Sequence, residues 1–239
     1  MEDNMQIRKE FFVPKKINKK RGGRAKNYLI LILAAALIFT LAKPYIDDAG
    51  ITGSVTGLFI DDYTNQQGFN EDGSPYLGSN HAPVKIEIFS DFQCPYCTRL
   101  AEGAMPSIIE NYVKTGKVQL VFKQFPLSFH DQAEGAAMAS MCAGKQGKFW
   151  EYHDGLFANQ DKLSETYFKS LAKELNLDET KFDTCMRSKE FLGQIVLDKQ
   201  AASEVGIKGT PASVINGEIV TGAQPYNSFK VIIDQKLAE

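Results

Sequence analysis

Residues 84–89 (Val-Lys-Ile-Glu-Ile-Phe) alternate apolar and polar positions and are rich in β-branched side chains, which predicts a strand. Ser90-Asp91-Phe92-Gln93 then turns into a predicted helix running from about Cys94 to Lys114, stopped by Gly116. Residues 118–122 (Val-Gln-Leu-Val-Phe) read as a second strand, so this strand–helix–strand unit predicts a parallel pair with a right-handed crossover. From Ser128 to about Val205 the signals are helical. Helices are predicted over 133–145, 149–157, 165–175, 179–186 and 193–205, with breaks at Gly147, Asn159, Asn176 and Gly206. Residues 212–215 and 218–221 form a predicted hairpin around Asn216-Gly217, and a last helix is expected from about Tyr226 to Leu237. The order is βαβ, a helical block, then ββα: an α/β fold with a helical insertion at about 128–205.

The N-terminal third reads differently. Residues 28–42 are YLILILAAALIFTLA, fifteen residues without a charge, preceded by Arg8, Lys9, Lys15, Lys16, Lys19, Lys20, Arg21, Arg24 and Lys26. At ~1.5 Å per residue that run spans about 22 Å, so residues to Ile46 are needed to approach a ~30 Å hydrocarbon core. A basic front on such a run marks a signal anchor or the apolar part of a signal peptide, and a buried core helix would have no use for it. The excess of Lys and Arg predicts a cytoplasmic N-terminus, with everything after Pro44 outside. Lys43-Pro44 is a poor exit for a signal peptidase, so an uncleaved anchor is favoured over a cleaved, secreted form. The expected organisation is a basic tail at 1–27, a membrane segment at 28–46, a Gly/Asn/Asp/Ser-rich linker at 47–80 and a compact domain from 81 to 239. The formal net charge of -2 and pI ≈ 6.0 give no general reason to expect a nucleic-acid partner.

Four cysteines carry the candidate chemistry. Cys94-Pro95-Tyr96-Cys97 is a Cys-x-x-Cys pair at the predicted start of a helix directly after a strand. As half a zinc site it would need a second close pair of ligands, and Cys142 and Cys185 are isolated from each other. As a purely structural bridge it would close a very small loop and restrain little chain. As a redox pair it is well placed: the unpaired N–H groups and positive end of a helix stabilise a thiolate on Cys94, and Pro95 fits the first helical position. Cys94 is then the exposed sulfur that exchanges with substrate, and Cys97 resolves or re-forms the ring. Gly209-Thr210-Pro211-Ala212 precedes the hairpin. A proline opening a strand belongs at an edge or beside a ligand, and a cis Thr210–Pro211 bond would expose the Thr210 backbone to an extended peptide beside Cys94.

Phe89-Ser90-Asp91-Phe92-Gln93-Cys94-Pro95-Tyr96-Cys97, together with Gln146-Gly147-Lys148-Phe149-Trp150 and Gly209-Thr210-Pro211, resembles the DsbA-like branch of the thioredoxin superfamily. The resemblance covers about His81 to the C-terminus. It implies a thioredoxin-like fold with an inserted helical domain, a Cys94/Cys97 redox centre, a cis-proline at Pro211 facing Cys94, and extracytoplasmic thiol–disulfide chemistry. DsbA itself has His where Tyr96 stands and Val before the cis-proline, and in these positions Tyr96 and Thr210 look closer to the DsbC/DsbG isomerases. Without that His, Cys94 should be a milder oxidant. The linker looks too short and polar for the dimerisation domain of those isomerases, so an oxidase is the first expectation and an isomerase or reductase the alternative.

Cys142 and Cys185 lie on predicted helices of the insertion, and exported chains with an even cysteine count tend to pair them. Some DsbA-like proteins carry a comparable bridge; two buried free thiols are the alternative. Glu87 is either a buried proton acceptor or an exposed strand-edge charge, Asp91 a helix-start cap rather than a catalyst, and His130 either a plain polar loop residue or one lining the substrate face. No phosphate-cradling glycine loop or metal-ligand cluster is visible, so neither cofactor nor metal is expected. The expected partners are exported proteins bearing thiols or disulfides and a membrane protein that resets the redox pair. The rival class is a membrane-tethered, chaperone-like binding module whose cysteines only staple the fold.

Overall fold

The computed structural model describes residues 66–239, so the expected basic tail and membrane segment lie outside the described residues. Among those residues no helix is long and apolar enough to cross a membrane. One six-stranded sheet organises the rest, in the order β1-β2-β4-β3-β5-β6. Its strands are β1 (Gln67–Phe69), β2 (Pro75–Leu77), β3 (Val84–Ser90), β4 (Val118–Gln124), β5 (Ala212–Ile215) and β6 (Glu218–Thr221). β3 and β4 run parallel, from Val84 opposite Val118 to Ser90 opposite Gln124, and every other pairing is antiparallel.

The sheet begins at Gln67 rather than near His81. The β1–β2 hairpin falls inside the stretch expected to be a linker, and three ties hold it down. β2 pairs with β4, Trp150 Nε1 donates to the Tyr76 carbonyl at 2.9 Å, and Lys123 Nζ reaches Asp72 Oδ2 and Ser74 Oγ, both at 2.7 Å. The hairpin thereby covers the edge of β4, whose seven residues are all buried.

The helices are α1 (Pro95–Glu102), α2 (Ala104–Ile108), α3 (Ala133–Gly144), α4 (Phe149–Ala158), α5 (Glu165–Glu174), α6 (Glu179–Ser188), α7 (Leu192–Glu204) and α8 (Tyr226–Ala238). The single helix expected over 94–114 is broken. α1 ends at Gly103, where a Cβ would stand 2.6 Å from the Arg99 carbonyl oxygen, and Pro106 has no N–H to return to the preceding turn. α2 then widens into one π-helical turn, Ile109–Val113, with Lys114 N bonded to the Ile109 carbonyl. Helices α3 to α7 form the insertion between β4 and β5, within the expected span. Asn216 (φ 43°) and Gly217 (φ 90°) make the predicted two-residue turn, with both residues in the left-handed region.

α2 and α8 pack on one sheet face, in a core that continues into α3–α6. On the other face Phe89, Ala202, Ile207, Ala212 and Val214 form a smaller cluster under α7. Cys142 of α3 and Cys185 of α6 are joined as a disulfide, Cα–Cα 5.8 Å, across the insertion's interior.

Candidate active site

β3 runs straight into the site. Its last residue, Ser90, is buried, and the chain turns through Asp91-Phe92-Gln93 before α1 begins. Cys94 is the N-cap of α1, in an extended conformation, and Pro95 takes the first helical position. With proline there, no N–H is wasted, and the first turn closes through the Cys94 carbonyl, which accepts from Cys97 N at 2.9 Å and Thr98 N at 3.2 Å. That geometry brings Cys97 inward under Cys94. Cys97 is 1 % exposed, and its sulfur accepts from the Asp91 N–H at 3.4 Å. Cys94, expected to be the exposed sulfur, is itself only 5 % exposed at the mouth, beside exposed Tyr96, whose ring carries the Arg99 guanidinium 5.1 Å from its centroid. Both cysteines are free thiols in this structure.

The far wall of the mouth is the turn before β5. Thr210–Pro211 is a cis bond, and Cys94 Sγ lies 3.6 Å from the Thr210 carbonyl oxygen. The residues singled out in two distant motifs, 116 positions apart, therefore meet at one point.

The two sulfurs are driven in opposite directions. Hydrogen bonding from Cys97 is the largest influence on Cys94; with help from Thr210 and the N–H groups of Cys97 and Tyr96 it overcomes burial and lowers the thiol from 9.0 to about 5. The Thr210 hydroxyl is buried without another partner, which leaves it available to a Cys94 thiolate. Burial pushes Cys97 the other way, far above the ordinary thiol range, and the adjacent Cys94 adds to that. One sulfur is ionised at neutral pH and the other is held as a thiol.

The chain matches the family model described as Thioredoxin over residues 70–235, most of its length. It belongs to the thioredoxin family. Two solved thioredoxin-fold proteins illustrate the branch. BdbD from Bacillus subtilis, in its oxidised form, matches with a TM-score of 0.64 and 26% identity over 75% of this chain and all of that one. Alpha-DsbA1 of Wolbachia pipientis matches with the same TM-score and 26% identity, covering 71% of this chain and 94% of its own. Among curated relatives, a probable disulfide bond formation protein D from Bacillus cereus is 30% identical over 218 residues, covering 86% of this chain and 97% of the relative. A Na(+)/H(+) antiporter NhaA 3 of Salinispora tropica is 36% identical over 151 residues, but the chain spans only 22% of that relative's length. This member of the thioredoxin family is DsbA-like, with the helical insertion of that branch, and its class of chemistry is thiol–disulfide oxidoreduction.

Two residues carry more of the site than their sequence positions suggested. Asp91 is no simple cap: its buried carboxylate accepts from Gln93 N at 2.7 Å and Leu127 N at 2.8 Å and meets His130 Nδ1 at 2.8 Å. Gln132 N donates to Gln93 Oε1 at 2.7 Å. Together these bonds strap the loop entering the insertion onto the turn just before Cys94, and that loop holds up Phe129, 73% exposed. Gln160, in the insertion, donates to the carbonyls of Phe92 and Cys94. Only the residue types hinted at this; pairings 36 to 68 positions apart have no local signature. Glu87 is partly exposed and pairs with Lys85 at 3.2 Å; its strand is central in the sheet, so it is neither a buried proton acceptor nor an edge charge.

Proposed function

We propose that this protein is an extracytoplasmic thiol oxidase that forms disulfides in exported proteins through the Cys94/Cys97 pair. The observation that carries the reading is the meeting of Cys94 Sγ with the cis Thr210–Pro211 turn at 3.6 Å, with Cys94 pushed toward the thiolate and the deeper Cys97 toward the thiol. An ionised thiol stabilises the reduced pair, which makes the disulfide form a better oxidant. The lowered Cys94 thiol favours the reduced pair, in line with a disulfide form that is oxidising.

A substrate thiolate attacks Cys94 Sγ of the oxidised pair, and the electrons of the broken S–S bond pass to Cys97. A second substrate thiolate then attacks the substrate sulfur of the mixed disulfide, releasing the product disulfide and a stable Cys94 thiolate. The Thr210 backbone pairs with the substrate strand at the cis Pro211 turn. Tyr96, beside Pro95 in the active-site dipeptide, and Phe129 offer exposed apolar surface to an unfolded chain.

The basic tail at 1–27 stays in the cytoplasm, and the apolar run at 28–46 holds the domain at the outer face of the cytoplasmic membrane. A membrane redox partner re-oxidises the pair there. The disulfide formation protein D of the Bacillus relatives supports the direction of electron flow.

The deciding experiment combines two measurements on the full chain. A Cys97→Ser variant should accumulate mixed disulfides with reduced exported proteins through Cys94; the absence of any adduct would point to the chaperone-like reading. The reduction potential of the native pair should lie on the oxidising side of thioredoxin. A strongly reducing value, together with efficient rescue of scrambled substrates, would assign it to the isomerases.

A further inference from the structure

Cys97 has a difficulty that Cys94 does not. Each turnover requires it to gain or lose a proton, yet it is 1 % exposed and no titratable side chain bonds to it except its partner cysteine. The way to it is from behind. A cavity of about 430 Å³ opens between α1, α2 and α4, and Cys97 and Ser90 lie on its wall. The volume holds several waters at roughly 30 Å³ each. On α4 the same cavity is lined by His153 and Asp154; Glu110 and Lys114, both exposed, stand on its α2 side.

His153 is set up unlike an ordinary core residue. It is 8% exposed in a box of aromatic rings: Phe92, Phe122, Phe149, Trp150 and Phe157. Its Nδ1 meets Asp154 Oδ1 at 2.8 Å. With Nδ1–H donating to that carboxylate, Nε2 is the nitrogen that takes and gives protons, and it has no protein partner among the described residues. Imidazole is the side chain suited to such exchange near neutral pH. Of the other groups facing Cys97, Cys94 is the reacting partner, Ser90 does not titrate, Asp91 presents its backbone N–H, and Glu110 and Lys114 are solvated.

We propose that His153 is the proton relay for Cys97, acting through water in this cavity, with Asp154 fixing its tautomer. When substrate thiolate attacks Cys94, the S–S bond breaks, its electron pair goes to Cys97 Sγ, and the His153 imidazolium, loaded at Nε2 from solvent, gives that proton through the cavity water to the sulfur and returns to the Nδ1–H imidazole. The imidazole regains its proton from solvent. When the pair is re-oxidised the proton leaves Cys97 by the same path. His153 touches neither substrate nor the sulfurs directly, so it is a positioning and relay residue. The inference rests on the oxidoreductase reading above.

The test measures the rate at which the oxidised full chain is reduced by a thiol peptide between pH 5 and pH 9, beside a thiolate titration of Cys94. In His153→Gln the rate should fall roughly ten-fold or more at neutral pH and its pH profile should change, with the Cys94 titration unchanged. His153→Ala should be rescued by added imidazole but not by benzene, which fills the same space and carries no proton. Ala101→Leu, narrowing the cavity from α1, should slow the same step. A wild-type pH profile in a folded His153→Gln protein, absence of rescue in a folded His153→Ala protein, or full speed with the cavity narrowed would overturn the relay. Trapping by Cys97→Ser separates the two failures: no adduct sinks the oxidoreductase reading, whereas an adduct with an unaltered His153→Gln profile sinks only the relay.

Discussion

At the scale of single residues the site works by asymmetry. Cys94 and Cys97 are chemically identical in an unfolded chain; helix-end position, depth and hydrogen bonds drive their proton affinities apart. Thr210 is the contributor easiest to remove. Thr210→Val keeps the shape and deletes the hydroxyl, so the Cys94 value should rise above about 5 and the disulfide should become less oxidising; thiolate absorbance against pH reads the first and equilibration with glutathione the second. A pH dependence of stability follows as well. Between the folded value of about 5 and the unfolded value of 9.0, the unfolded chain holds a proton on Cys94 that the folded chain has released. Stability of the reduced form therefore rises with pH across that window and is lost as pH falls through 5, whereas the oxidised form has no such thiol. The gap between the thermal midpoints of the reduced and oxidised proteins should widen in favour of the reduced form from pH 5 to pH 9. A gap independent of pH would contradict the depressed Cys94 value.

At the scale of elements, the insertion is closed on itself by the Cys142–Cys185 bridge between α3 and α6, 43 positions apart. In the chain-entropy description a loop of that length contributes about 4 kcal/mol. Cys142→Ala with Cys185→Ala should lower the denaturant midpoint by a corresponding amount, less whatever the two small cavities cost or relieve, and leave the Cys94 titration untouched. Element order, the Asn216-Gly217 hairpin and the helical block were legible because each has a local cause: alternation, a turn that needs two left-handed residues, glycine and asparagine stops. The break in the first helix was less so. Gly103 is one of many glycines, and only the 2.6 Å approach to the Arg99 carbonyl shows why this one interrupts the helix. The β1–β2 hairpin was hidden for another reason. Its strands are three residues long and mostly polar in context, and what fixes them is a partner strand more than 40 positions away, with Lys123 buried beneath them.

At the scale of the molecule, that hairpin is part of the folding unit. Lys123 is 5% exposed and stands between Asp72, at 2.7 Å, and the fully buried Asp198 of α7, at 3.5 Å. Asp198 also accepts from Gln124 N at 2.9 Å, so one buried network ties the hairpin, the central strand and the last insertion helix together. Lys123→Met should cost roughly 3–5 kcal/mol in equilibrium unfolding, because it leaves the Asp198 charge buried without its cation. Deleting residues 66–80 should be worse still, since it uncovers the edge of β4 and strips Trp150 of its acceptor; aggregation of the deleted form, measured by light scattering, is the expected outcome. The candidate site shows the same division between near and far. Its two motifs were readable because each carries a local chemical signature, whereas the Asp91–His130 strap and the His153 cavity exist only once distant helices are assembled.

The strap has a further meaning for how such a protein can change. The helical block leaves the sheet beside Asp91, where Leu127 and His130 are fastened, and returns to it at Thr210, against the Cys94 sulfur. Both of its seams are pinned beside Cys94, and between them Trp150, His153, Gln160 and Asp198 reach back to the sheet and the site. Selection can thus rewrite the exposed positions of the block while these four residues hold the site in place. A graft of the exposed residues of 165–188 from a relative, with Trp150, His153, Gln160 and Asp198 kept, should leave the redox potential where it was.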